Sequence, residues 1–213
     1  MTYAVKEMFL TLQGEGYHTG RAAVFLRFTG CNLWSGREVD RAKGPGGCSR
    51  WCDTDFVGTD GDGGGRFPTA DALADAVAAR WTMREGSPFV VCTGGEPLLQ
   101  LDAPLVDALH TRGFEVAIET NGTLRLPPGV DWVCVSPKAD SALVLTVGHE
   151  LKLVYPQEGA EPERFEGIAA AHRFLQPMDG PARAENTRRA VAYCLAHPRW
   201  RLSLQTHKVL GIP

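Results

Sequence analysis

The chain has 213 residues, 44% hydrophobic and 22% charged, with a formal net charge of −3. That length supports a sizeable core, and residues 1–213 read as a single domain. No basic block offers a nucleic-acid surface, no apolar run is long enough to cross a bilayer, and the first residues lack a signal-peptide core. A cytoplasmic protein with no direct nucleic-acid or membrane contact is expected.

Residues 3–9 and 23–29 read as strands. Between them, Leu10–Gly16 forms a turn rich in glycine and polar groups. In the second strand Val24, Leu26 and Phe28 face one way, and Phe25, Arg27 and Thr29 the other. Arg27 is thus a cation among apolar neighbours. It reads either as a strand-end ion pair or as a guanidinium fork for a substrate carboxylate. Cys31, Cys48 and Cys52 follow in one glycine-rich loop, with gaps of sixteen and three residues. Three thiolates on one loop can hold a metal centre. An iron–sulfur cluster normally takes four cysteines, so three protein ligands would leave one iron open. Structural zinc commonly uses two closely spaced pairs. No second pair exists here, yet the loop alone leaves zinc as an alternative. Cys92 and Cys134 lie in strand-like runs and Cys194 in a helical one, where a thiol behaves as a small hydrophobe.

Gly58–Arg66 is a flexible loop. A helix starts at Pro68-Thr69, capped by Thr69, with Leu73, Val77 and Trp81 on one face. Phe89–Thr93 is a short buried-type strand ending in Gly94-Gly95-Glu96-Pro97, followed by a helical pattern to Gly113. The glycine pair is either a plain β–α turn or a place where backbone approaches a ligand; Glu96 and open carbonyls could accept from an ammonium group. Phe114–Gly122 is a strand and turn with Glu119 near its end, read equally as a buried structural carboxylate or a ligand partner. Trp132–Val135, Glu150–Tyr155, Arg173–Leu175 and Arg201–Gln205 complete the strands, and Ala184–Ala196 is a helix. The connections at 123–131 and 139–149 hardly hold a crossover helix. The pattern predicts an α/β fold, an incomplete β/α barrel with helices pruned away and functional residues at strand ends.

The cysteine loop and Gly94-Gly95-Glu96-Pro97, in that order, resemble the radical S-adenosylmethionine (SAM) superfamily. The expanded first gap is similar to that of the 7-carboxy-7-deazaguanine synthases of queuosine biosynthesis; the second gap is wider than theirs. Gln13-Gly14-Glu15-Gly16, Ser136-Pro137-Lys138, Gln176-Pro177-Met178-Asp179 and Gln205-Thr206-His207-Lys208 also match stretches of that family. The resemblance implies that Cys31, Cys48 and Cys52 hold a 4Fe–4S cluster whose open iron takes SAM. It assigns SAM binding to Trp51, Gly94, Gly95, Glu96, Glu119, Ser136, Pro137, Lys138, Gln176, Pro177, Met178 and Asp179, and a magnesium ion to Thr54. It places Leu12, Gln13, Gly14, Glu15, Arg27, Thr93, His207 and Pro213, the last through a terminal carboxylate, against a pterin substrate.

The implied reaction converts 6-carboxy-5,6,7,8-tetrahydropterin to 7-carboxy-7-deazaguanine with loss of ammonia. A flavodoxin-like electron donor and a homodimer are expected with it. Two other readings share part of the pattern: a radical SAM activase that places a glycyl radical on a partner protein, and a zinc-stabilised binding module.

Overall fold

The structure, a computed structural model, describes residues 2–213. Strands β1 (Tyr3–Leu12) and β2 (Ala22–Phe28) pair antiparallel, and β3 (Gly65–Phe67) lies antiparallel on the start of β1. From β2 onward every neighbour is parallel: β4 (Phe89–Gly94), β5 (Glu115–Thr120), β6 (Trp132–Val135), β7 (Glu150–Tyr155), β8 (His172–Pro177) and β9 (Arg201–Leu202). The sheet order is β3-β1-β2-β4-β5-β6-β7-β8-β9, so the barrel curls without closing. Parallel strands covered on both faces read as continuous apolar runs. Phe89-Val90-Val91-Cys92 is such a run, each residue fully buried.

Helix α1 (Ala70–Arg80) begins where Thr69 Oγ1 accepts from the Ala72 amide at 3.1 Å. It buries Leu73, Ala74 and Val77 in the main core, and Trp81 packs at its edge. Full burial of one such aliphatic side chain contributes about 1.5–3 kcal/mol. Helix α2 (Ala103–Thr111) adds Leu105, Val106 and Leu109 to the same core. Helix α3 (Arg183–Ala196) covers a second cluster of Leu151, Leu153, Leu175 and Trp200, with Cys194 at its margin. Neither β5–β6 nor β6–β7 contains a helix, as the short connections require.

Four boundaries differ from the sequence reading. The loop expected over Gly58–Arg66 ends early, because Gly65–Phe67 pairs with Tyr3–Val5 as β3. The helical pattern from Pro97 to Gly113 is broken into a 3-10 turn, Pro97–Leu99, and α2. Gln100 interrupts it, because its side chain bonds the backbone of Ala4 in both directions (2.7 and 3.1 Å) and the Thr29 carbonyl (2.9 Å). Asp102 then caps the new start. The strand expected over Arg201–Gln205 pairs only as Arg201–Leu202, and the chain then peels off into α4 (Thr206–Leu210). β1 runs on to Leu12, because Thr11 and Leu12 still pair with Ala23 and Ala22.

The concave side of the sheet is filled only toward the strand starts. There Ala23, Phe89, Val91 and Ala117 pack with Phe25 and Trp132. Toward the strand ends the space stays open, and it becomes the site.

Candidate active site

A cavity of about 880 Å³ opens at the C-terminal ends of the parallel strands. Of the residues expected in the site, all but Glu96 and Pro137 line it. The cysteine loop forms one wall, the Gly94-Gly95 edge and Ser136 another. Gln176-Pro177-Met178-Asp179 and the segment from Gln205 to Pro213 complete it.

The cysteine loop is held by its own backbone. A 3-10 turn, Gly47–Arg50, places Cys48 and Cys52 on successive levels, with the Cys52 amide 2.8 Å from the Cys48 carbonyl. That single turn absorbs the widened second gap. Gly47 donates to the Ala139 carbonyl at 2.9 Å, tying the turn to the end of β6. Arg41 reaches the carbonyls of Ser49 (2.9 Å) and Cys52 (3.1 Å) while stacking on Trp34. The Leu33 amide points at Cys31 Sγ, 3.4 Å away. All six cysteines are free. Burial pushes the Cys31 thiol up and Cys48 up to about 11, the latter against the pull of Lys138.

These features fit a cluster. Three thiols share one cavity wall and sense one another electrostatically. Among the described residues, however, no three His, Cys, Asp or Glu side chains gather as a single ion would require. A cluster spreads its ligands over several irons; a lone zinc draws them to one point. Beside the thiols, Thr54 lies between Asp53 and Asp55, and all three line the cavity. An oxygen-only patch of this kind suits magnesium rather than a thiophilic metal.

The glycine edge has a packing cause. A Cβ on Gly95 would stand 2.3 Å from the Gly30 carbonyl oxygen and 2.7 Å from Cys31 Cβ, and one on Gly94 would meet the Phe28 carbonyl at 2.5 Å. The pair therefore lets β4 close against the start of the cysteine loop, and only then presents backbone to the cavity. Glu96 corrects the expectation placed on its side chain. Its carboxylate is fully buried and already accepts from Leu98 N (3.0 Å), Thr120 Oγ1 (2.8 Å) and Asn121 N (2.8 Å). Burial raises its pKa and these donors oppose the rise. Glu96 thus braces the strand ends from behind the wall. Pro137 is likewise set back, while Lys138 folds onto the carbonyl and hydroxyl of Ser136, both at 2.6 Å.

The opposite wall is a charge network. Lys152, on β7, donates to Glu15 at 2.7 Å and to both oxygens of Glu119 at 2.9 Å. Burial alone would raise the Glu15 pKa, but Lys152 and a bond from Gln205 bring it down to about 2. Arg27 Nε binds Glu7 at 2.7 Å, so an ion pair is present while the side chain still lines the cavity. Gly14 is glycine because His207 occupies the space its Cβ would take, 2.2 Å from Nδ1. Thr11 Oγ1 donates to the Pro213 carbonyl oxygen at 2.9 Å.

Sequence reasoning passed over Glu7, Lys152 and Lys208. For Lys152 the signal was present: a lone lysine inside Glu150-Leu-Lys-Leu-Val, a run otherwise patterned for burial. Lys208 bridges Asp53 of the cysteine loop (2.5 Å) and Asp179 after β8 (2.7 Å), a link that only the fold brings together.

An open β/α barrel with a three-thiol loop and a glycine edge at its strand ends defines a radical SAM enzyme. No family model matches the chain. It is 65% identical over 212 residues to the 7-carboxy-7-deazaguanine synthase of Bradyrhizobium diazoefficiens, covering 100% of both chains. It is 59% identical over 219 residues to that of Nitratidesulfovibrio vulgaris, again covering 100% of each. The crystal structure of QueE from Escherichia coli superposes with a TM-score of 0.66 at 28% identity, covering 96% of this chain and 94% of that one. The chain belongs to the 7-carboxy-7-deazaguanine synthase family.

Proposed function

We propose that this protein converts 6-carboxy-5,6,7,8-tetrahydropterin to 7-carboxy-7-deazaguanine with loss of ammonia, as one radical SAM domain. The observation that carries this reading is the convergence of three thiols, a glycine edge and a Lys152-centred acid network on one cavity, in a chain 65% identical to a named synthase.

Cys31, Cys48 and Cys52 would hold the 4Fe–4S cluster, and Thr54 the magnesium ion. When bound, the cluster and SAM would supply the one-electron chemistry that removes a hydrogen atom from the substrate. Trp51, Gly94, Gly95, Glu119, Ser136, Lys138 and Gln176–Asp179 would bind SAM, with Glu96 and Pro137 supporting that wall from behind. The chain's other residues bind and orient the pterin. Arg27 grips its carboxylate, its Nε fixed by Glu7 so that the guanidinium holds one orientation. Gln13, Glu15 and His207 offer donors and acceptors to the ring edge, with Leu12, Gly14, Thr93 and Pro213 around them. Burial lowers the His207 pKa, Glu15 opposes it, and Lys208 and Lys152 add to the lowering, which favours the neutral imidazole. A flavodoxin-like protein delivers the electron, the protein acts as a homodimer, and it works in the cytoplasm. Consistent with the last point, no helix among the described residues is long and apolar enough to cross a membrane.

An anaerobic assay with SAM, reductant, magnesium and the carboxypterin, read by mass spectrometry, tests the reading. Product is expected from the wild type, with both product and SAM cleavage lost in Cys48→Ala. SAM cleavage that ignores the pterin would overturn the assignment in favour of an activase.

A further inference from the structure

Behind the charge network lies a second, small cavity of about 10 Å³. That is the room one water needs. Its walls include Gln13, Glu15, Glu119, His18 and Glu150. Two of these carry a buried polar atom with no hydrogen-bond partner: His18 Nε2 and Glu150 Oε1. Glu150 is 2% exposed, and its other oxygen accepts from the Tyr17 amide at 3.1 Å. Leaving a buried carboxylate oxygen unpaired is costly. The placement is built in, because a Cβ on Gly16 would lie 2.0 Å from Oε1. One water within reach of both atoms would satisfy them in either imidazole tautomer. It can donate to both, or accept from Nε2–H and donate to the carboxylate.

We propose that His18 and Glu150 hold one buried water, and that this water links the Glu15–Lys152–Glu119 network to solvent at the far end of the barrel as a proton path. His18 stands at the strand starts, packed against Phe89 and Trp132, the first residues of β4 and β6, and beside half-exposed Tyr17. The substrate cavity opens at the other end of those strands. The path therefore runs along the concave side of the sheet without using the cavity mouth. Lys152, Glu119 and Cys134 face Glu150; Arg21, Glu115 and His172 face His18. Burial raises the Glu150 pKa against the pull of Lys152, while burial and Arg21 lower that of His18. The inference rests on the proposed reaction for its use: ammonia released at the site becomes ammonium by taking one proton, and the path delivers it. No other bond changes.

The test has two arms. A high-resolution crystal structure of the cluster-loaded enzyme should show one water between His18 Nε2 and Glu150 Oε1. Glu150→Gln keeps the shape and the Tyr17 bond but carries no proton. Its turnover should fall on the order of tenfold, and the limb on which activity falls as Glu150 deprotonates should shift by about one unit or vanish. If that variant does not fold, His18→Phe keeps the ring contacts, removes both nitrogens and should give the same result. An empty site, or a pH profile identical to wild type in the folded variants, overturns the proposal. The water is read without turnover, so its absence is distinguishable from a failure of the reaction assignment.

Discussion

Lys152 is 5% exposed at its side chain, with Glu15 and Glu119 at 19% and 20%. Three charges held that dry gain from one another only as a complete set, and removing one partner leaves the others desolvated and unpaired. Lys152→Met should therefore destabilise the fold by about 3–5 kcal/mol near neutral pH, read by urea unfolding. The sign of the pH dependence follows from Glu15. Its folded pKa of about 2 lies below the ordinary glutamate value of 4.5, so its contribution is complete above the unfolded value and is lost as pH falls from there toward 2. The gap between wild type and Lys152→Met should narrow through that window; a constant gap would mean the lysine acts through packing alone. Arg27 is a different case, because its Nε already serves Glu7. Arg27→Lys offers one ammonium for two partners. The KM for the pterin should rise about tenfold with SAM affinity unchanged.

Asp102 shows how an element start can carry two loads. Its Oδ1 caps α2 through Leu105 N at 3.1 Å and also accepts from Tyr3 Oη at 2.7 Å, on a tyrosine only 2% exposed. Asp102→Ala should cost about 2–4 kcal/mol, the sum of a lost cap and a stranded buried hydroxyl. Thr69→Ala, which removes only the exposed cap of α1, should cost about 1 kcal/mol. Equal losses in chemical denaturation would show that the Tyr3 bond adds nothing. The same elements explain what was legible beforehand. Strands such as Phe89–Gly94 announce themselves through continuous apolar runs, and the missing crossover helices through connection length alone. The break at Gln100 was hidden, because local periodicity continues through it and the cause is hydrogen bonding to Ala4 and Thr29, distant in sequence. At the site, nearly every residue the motifs pointed to lines the cavity, but the motifs did not show the direction of each side chain. Glu96 turns its carboxylate inward to Thr120 and Asn121, a choice made by the packing of β4 against β5. The glycine pair at 94 and 95 was read either as a plain turn or as backbone approaching a ligand; the space that a side chain at Gly14 or Gly95 would need is taken by His207 and by the Gly30 carbonyl.

Across the whole molecule, three distant parts of the chain meet over the cavity mouth. Lys208 on α4 joins Asp53 beside the cysteine loop and Asp179 beyond β8. The Gly14 carbonyl holds the start of α4 through Thr206 N (2.9 Å) and Oγ1 (3.0 Å), and Gln205 reaches Glu15 at 2.9 Å. Helix α4 has only five residues and no buried side chain. It cannot hold itself in place by burying apolar surface, so polar contacts at its start and its one lysine must do so. The lysine pairs are partly exposed, 29% for Lys208 against 56% and 32% for its partners. Each is then worth only about 0.2–1 kcal/mol, too little to govern global stability. It is enough to shift the population of an element whose own opening free energy is small. Lys208→Met should leave the urea midpoint almost unchanged, lower amide-exchange protection over 206–210 and around Asp53, and raise the KM for the pterin with iron content intact. High salt should reproduce part of the exchange effect in the wild type, because partly exposed pairs are screened. If protection over α4 is the same in both proteins, the Thr206–Gly14 bonds hold the segment and the lysine bridge is incidental.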